Sequence, residues 1–187
     1  MPTLFIAVVF ALVGSVAQAD TSRTHEVKDH KTYGNCHTFT QVDLFTDEEF
    51  YTVGCFENTL TDTTVIGIQY ESSGLYVLLS KGLQFHLDDQ VPVMIRIDKG
   101  EVIRRSAHWH RKSNRAFIQD ADLARHLLHD LSHGQRAILK VGDEGGNVQL
   151  DGAAQAIADF RHRAGLPAQQ TLTPQQRQTL EIPARQF

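Results

Sequence analysis

Residues 91–110 read VPVMIRIDKGEVIRRSAHWH. In Val93-Met-Ile-Arg-Ile-Asp98 apolar and polar side chains alternate. Val93, Ile95 and Ile97 point to one face and Met94 and Arg96 to the other, the period-two pattern of a half-buried strand. Asp98-Lys99-Gly100 is turn chemistry, and Glu101 to His110 follows as the returning strand of a hairpin. A hairpin closed by so short a turn makes the sheet antiparallel and locally connected.

Upstream of the hairpin, more short β-type runs follow one another. Tyr51-Thr-Val-Gly-Cys55 alternates, and Val65-Ile-Gly-Ile-Gln-Tyr70 sets Ile66, Ile68 and Tyr70 on one face. Leu75 to Leu79 is apolar and aromatic. Ser80-Lys81-Gly82 breaks it before Leu83 to Leu87 resumes. This half predicts an antiparallel meander.

Downstream the period changes. Asp120 is placed to cap a helix whose apolar stripe is Leu123, Leu127, Leu128 and Leu131, with Gly134 expected to end it in a left-handed cap. Ala137 to Val141 is a strand, Gly142 to Asn147 a flexible turn and Val148 to Leu150 its partner. Asp151 is expected to cap a second helix with Ala153, Ile157, Phe160 and Ala164 on one side, stopped by Gly165 and Pro167. The fold class expected is α+β: antiparallel β-meander and hairpins with two helices covering one face, a single domain over residues 36–165. Residues 20–35 are polar and are expected to form a flexible leader. Residues 166–187, rich in Gln, Thr and Pro, are expected to form a disordered tail.

The chain has 187 residues, 41% of them hydrophobic and 21% charged, in the globular range. Its 18 basic and 22 acidic side chains leave a formal charge of −4, which argues against a nucleic-acid partner. Met1 to Ala19 carries no charged side chain. Leu4 to Val13 is an unbroken apolar run, and Ala17-Gln18-Ala19 is a small-x-small site, so residues 1–19 are expected to be a cleaved secretory signal. The run is shorter than the roughly 20 apolar residues a membrane-spanning helix requires, and no second run of that length follows, so stable membrane insertion is not expected. The expected location is periplasmic or secreted.

Export gives the two cysteines their meaning. In an oxidising compartment Cys36 and Cys55 are expected to pair, closing a loop worth on the order of 3 kcal/mol in the chain-entropy model. Free thiols and intermolecular bridges are the alternatives.

Ten histidines are many for this length. His108-Trp109-His110 on a strand directs both imidazoles to one face, a spacing that can chelate zinc or copper, with His86 as a third ligand from a neighbouring strand. On the first helix His126, His129 and His133 share an arc with Asp122, opposite the leucine stripe. The plainer reading of both groups is a solvated strand face and a solvated helix face, where polar residues need no further explanation. No Gly-x-Ser-x-Gly elbow, His-Glu-x-x-His pair or phosphate loop occurs, so neither catalytic residues nor a cofactor is expected. If Trp109 is exposed, then Arg96, Arg104, Arg105 and Arg111 beside it make the hairpin a credible binding edge, since Trp and Arg are enriched at interface hot spots. Packed beneath the helices, Trp109 is core.

Three stretches carry a family resemblance: Tyr51-Thr-Val-Gly-Cys55; Val91 to Asp98 leading to Trp109; and the helix, strand, Val148-Gln-Leu-Asp-Gly152 and alanine-rich helix of the closing stretch. Over roughly Tyr51 to Leu166 the chain resembles the type VI secretion-associated VasI-like proteins and the invasion-associated locus B family. A cysteine often found at the end of the last helix is replaced by Leu166. The resemblance implies a non-enzymatic accessory or interaction protein of the cell envelope. The expected function is therefore an exported, non-enzymatic protein that contacts an envelope or secretion-system protein as a secretion accessory, virulence factor, inhibitor or immunity protein. A periplasmic metal-binding protein using the clustered histidines is the alternative.

Overall fold

The central hairpin forms where its alternation places it, as β6 (Gln90–Ile97) and β7 (Ile103–His110), with Val93 opposite Arg105 and Ile95 opposite Ile103. Asp98 turns the chain in the left-handed region, φ 50°, which Asp tolerates better than most residues. Its carboxylate accepts hydrogen bonds from the backbone N–H groups of Gln135 and Arg136, fastening the turn to the next strand of the sheet.

The computed structural model describes residues 25–58, 63–81, 90–110 and 115–167. The signal stretch 1–19, the apolar run 83–87, His86, Arg111 and the tail beyond Pro167 lie outside the described residues. The remaining elements are β1 (His25–Tyr33), β2 (Cys36–Asp43), β3 (Glu49–Asn58), β4 (Thr63–Glu71), β5 (Gly74–Lys81), β8 (Arg115–Ile118), α1 (Ala121–His133), β9 (Arg136–Val141), β10 (Glu144–Gln149) and α2 (Ala153–Arg163). The strands form one antiparallel sheet of ten in the order β1-β2-β3-β4-β5-β8-β7-β6-β9-β10. β10 also lies against β3 and β4, so the sheet curls back on itself. At that approach a Cβ on Gly146 would stand 2.4 Å from the Thr64 hydroxyl, and only glycine fits. α1 packs on β5 and on α2, and α2 packs on β1, β2 and β3.

Inward-facing side chains of both halves and of the helices make one continuous core, including Ile66, Ile68, Val77, Ile95, Leu127 and Phe160. Cys36 and Cys55 face each other across β2 and β3 and form a disulfide buried in this core. The leucine stripe of α1 is buried as its spacing predicts, and the Asp120 side chain accepts from the Leu123 N–H at 2.9 Å.

Several expectations are corrected. The polar stretch 20–35 was expected to be a loose leader, yet from His25 it is an edge strand. β1 is exposed on nearly every residue and is held by backbone pairing to β2, so it carries no apolar alternation. β2 also lay in no predicted strand, because its core-facing positions include Thr38 and Thr40. β8 is too short to show a period. Gly134 does not end α1 in a left-handed cap; its backbone is extended, φ −80° and ψ 166°. Glycine is needed there for room, since a Cβ would meet Ile97 Cγ2 at 2.4 Å. Asp151 does not cap α2: the N-cap is Gly152 at φ 83°, with no side-chain hydrogen bond. The Asp151 carbonyl instead accepts from the Asn35 N–H at 3.0 Å. The turn expected over 142–147 is short, and β10 is already running at Glu144.

β1 has a bulge between Lys28 and Lys31, with Asp29 at φ 51°. Arg163 on α2 explains where it sits: the guanidinium donates to the Asp29 carbonyl and pairs with Asp159 Oδ2 at 2.8 Å. Asp159 also accepts from Lys31 Nζ at 2.8 Å and from Thr38 Oγ1 at 2.7 Å. One carboxylate thus ties α2 to the two strands at the edge.

A candidate binding face on the second half of the sheet

β6, β7, β8 and β9 contain no Asp or Glu. Their inward positions are filled by Val91, Val93, Ile95, Ala107, Trp109, Ala116, Ala137 and Leu139, all buried. The basic residues therefore fall mainly on the alternate, outward parity. Arg96 lies on β6, Arg104 on β7, Arg115 on β8, and Arg136 and Lys140 on β9. Arg96, Arg104 and Arg136 are exposed. On β10 the one acidic residue, Glu144, shares the inward parity of Val148.

Register brings these charges together. Met94 stands opposite Arg104 on one side and Lys140 on the other. Two strand spacings place those cations about 10 Å apart at the backbone, slightly beyond the Debye length of about 8 Å at physiological salt, so their potentials overlap in part and add more fully at lower salt. His110 stands opposite Arg115 and extends the face toward β8. Among the described residues Arg96 and Arg104 make no ion pair, and Lys140 has only the exposed Asp143 at 3.8 Å. Burial pushes the Arg115 guanidinium below its ordinary pKa. The face is suited to binding oxyanions or carboxylates by fork-shaped contacts, with Met94 and Pro92 as apolar surface between the charges.

Only part of the predicted binding edge belongs to this face. Arg96 and Arg104 do. Arg105 has the opposite parity and is half-buried, its Nε 3.5 Å from Asp120 Oδ2, so it braces the residue that caps α1. Trp109 is 2% exposed and is core, which removes it from any interface. Neighbours such as Arg104 and Arg105 cannot share a face of one strand. The charge signal itself was legible: between Gln90 and Ile118 the carboxylates Asp98 and Glu101 both fall at the hairpin turn.

The histidines separate into unlike groups. His108 and His110 are exposed on the outward parity of β7, as their spacing predicts. On α1, His126 pairs with Asp130 at 3.0 Å, and the rings of His129 and His133 lie 4.6 Å apart. Among the described residues no group of three or more His, Cys, Asp or Glu is placed to hold a metal ion. One pair was not foreseen. His30 of β1 and His37 of β2 stack with centroids 5.1 Å apart and share a 3.0 Å hydrogen bond. Burial first, and the nearby His30 second, lower the His37 pKa. The sequence hid this pair because β1 and β2 carry no strand signature.

Comparison with protein-family models, with curated proteins and with solved structures finds no match. What the chain does is to be read from its own side chains. Among the described residues no helix is long and apolar enough to cross a membrane.

Proposed function

We propose that the chain is exported to the periplasm or beyond, and that it acts there without catalysis by binding an acidic surface of an envelope or secretion-system protein. The observation that carries this is the outward face of β6, β7, β8 and β9: Arg96, Arg104, Arg115 and Lys140 on strands without a carboxylate, in a chain whose formal charge is −4. A cationic patch on an acidic protein cannot serve bulk charge. It directs one orientation of approach, raising the association rate and rejecting partners of like sign. The two helices, on this proposal, cover the opposite face of the sheet and leave the cationic face to the partner. The apolar run before Ala17-Gln18-Ala19 and the buried Cys36–Cys55 disulfide support export. The VasI-like and invasion-associated locus B resemblance supports an accessory role.

The test is in-cell cross-linking of the protein expressed with its own amino terminus, for wild type and for Arg96→Glu/Arg104→Glu, followed by mass spectrometry. Both positions are exposed, so the variant should melt like wild type. The expected result is one acidic envelope protein captured by wild type, weakened by salt and lost in the variant. Undiminished capture by the variant removes this face as the interface. Recovery of nucleic acid instead removes the protein-binding class, and unprocessed protein with reduced cysteines removes export.

A further inference from the structure

A groove of about 500 Å³ opens where the carboxy-terminal end of α1 meets α2. None of its described lining residues lies on a strand, so it is separate from the cationic sheet face. Its volume falls within the roughly 300–1,000 Å³ of small-molecule sites. Ala154, Ala158 and Arg161 stand at i, i+4 and i+7 of α2 and share one helix face. The two exposed alanines leave a trough, Ile157 and Leu166 give it an apolar lining, and Arg161 stands toward the end of the helix.

Arg161 is the unusual member. It is half-buried, and among the described residues its guanidinium has no carboxylate or carbonyl partner. Two residues on, Arg163 is bonded to both Asp159 and the Asp29 carbonyl. A helix carboxy terminus favours a cation in its last turn, but that attraction does not call for removing the cation from water. Burial lowers the Arg161 pKa, with no compensating anion among the described residues. His133 and His162 flank the same groove, and among the described residues no acidic side chain lines it.

We propose that this groove binds a small apolar monocarboxylate, its two oxygens paired with the Arg161 guanidinium and its hydrocarbon body laid along Ala154, Ala158 and Leu166. A planar two-oxygen group matches one guanidinium fork. A phosphate would bring more charge than one such fork balances and would gain nothing from the apolar lining. The occupant is therefore an amphiphile with a single charged end.

The test is calorimetric titration of the oxidised full-length protein with decanoate below its micelle concentration, with decanol and acetate as comparison probes. Decanoate should bind, and Arg161→Gln should weaken it about tenfold or more, the loss expected for one charge-assisted pair. Ala158→Leu, a good helix former at an exposed position, should abolish binding by filling the trough while leaving the melting curve unchanged. Decanol should bind far more weakly than decanoate, and acetate should not bind measurably. Equal binding of decanol shows that the charged end is not read and overturns the proposal. Binding of acetate as tight as decanoate reduces the site to an adventitious ion only. No binding of decanoate, or binding unaffected by either substitution, removes the groove as a site.

Discussion

Asp159→Ala should loosen the edge of the sheet from the helix above it. The substitution removes the acceptor of Thr38 Oγ1 at 2.7 Å, Arg163 Nε at 2.8 Å and Lys31 Nζ at 2.8 Å. These links are not equal. The Lys31 side chain is 54% exposed, and after screening its pair contributes about 0–1 kcal/mol. The Arg163 and Asp159 side chains are each 13% exposed, so that charge-assisted bond contributes about 1.5–3 kcal/mol. Thr38 is 1% exposed, and its orphaned hydroxyl costs about 1–3 kcal/mol. Together the loss is about 4 kcal/mol, or roughly 10–15 °C in melting temperature for a chain of this size. Amides of β1 should exchange faster than those of β6. Asp159→Asn keeps an acceptor for Thr38 and should lose about half as much. The control is Asp122→Ala, whose exposed pair with Arg125 should contribute almost nothing. A melting loss for Asp159→Ala no larger than the control would refute the role given to this carboxylate.

The same group sets an acid limb. Burial opposes ionisation of Asp159, but Lys31, Thr38 and Arg163 outweigh it and hold the carboxyl below its ordinary value. The folded state therefore binds this proton more weakly than the unfolded one. The stabilisation is fully present above the unfolded value near pH 4 and is lost as pH falls through the lower folded value. Stability differences between wild type and Asp159→Asn should be constant near neutrality and shrink below about pH 4. A difference independent of pH would assign the effect to shape and not to charge.

Three further outcomes are expected. Trp109→Ala should destabilise the protein by about 3–5 kcal/mol, because the ring is 2% exposed; a native melting curve would contradict its burial. Gly152→Ala should be strongly destabilising, since φ is 83° and the new Cβ would stand 2.0 Å from the Tyr33 carbonyl oxygen; chemical denaturation showing a loss below about 1 kcal/mol would refute that contact. Cys36→Ala/Cys55→Ala should lower stability by about 2–4 kcal/mol. In the wild type the disulfide, 0% and 3% exposed, should resist a mild reductant until the chain unfolds, and rapid reduction of the folded protein would contradict its place in the core.

Elements stabilised by burial were legible. β6 shows Val93, Ile95 and Ile97 on one parity, and α1 shows its leucines on one arc, because each buries one face against the core. Elements stabilised by polar contacts were hidden. β2 turns Thr38 inward, which reads as polar until Asp159 arrives from α2 to bond it. β1 turns almost nothing inward, and its place depends on pairing with β2 and on Arg163. The site was half legible for a related reason. Composition shows where carboxylates are missing, but only strand parity separates Arg104, which faces outward, from Arg105 and Trp109, which do not.

The turn from β1 to β2 meets the link between β10 and α2 at bare backbone. Gly34 has no room for a Cβ against Asp151, nor Gly152 against Tyr33, and Asn35 bridges by donating to the Asp151 carbonyl and accepting from the Phe56 N–H. This clasp joins regions near opposite ends of the described chain, so its formation is a long-range event. A chain delivered amino terminus first exposes its opening hairpin long before the residues that lock it exist. The lock on that hairpin therefore forms only once residues 150–152 have emerged. Such a protein is slow to commit to its native state. On the export proposed above, that delay keeps the chain free of its final lock while it is threaded, still unfolded, through a narrow pore.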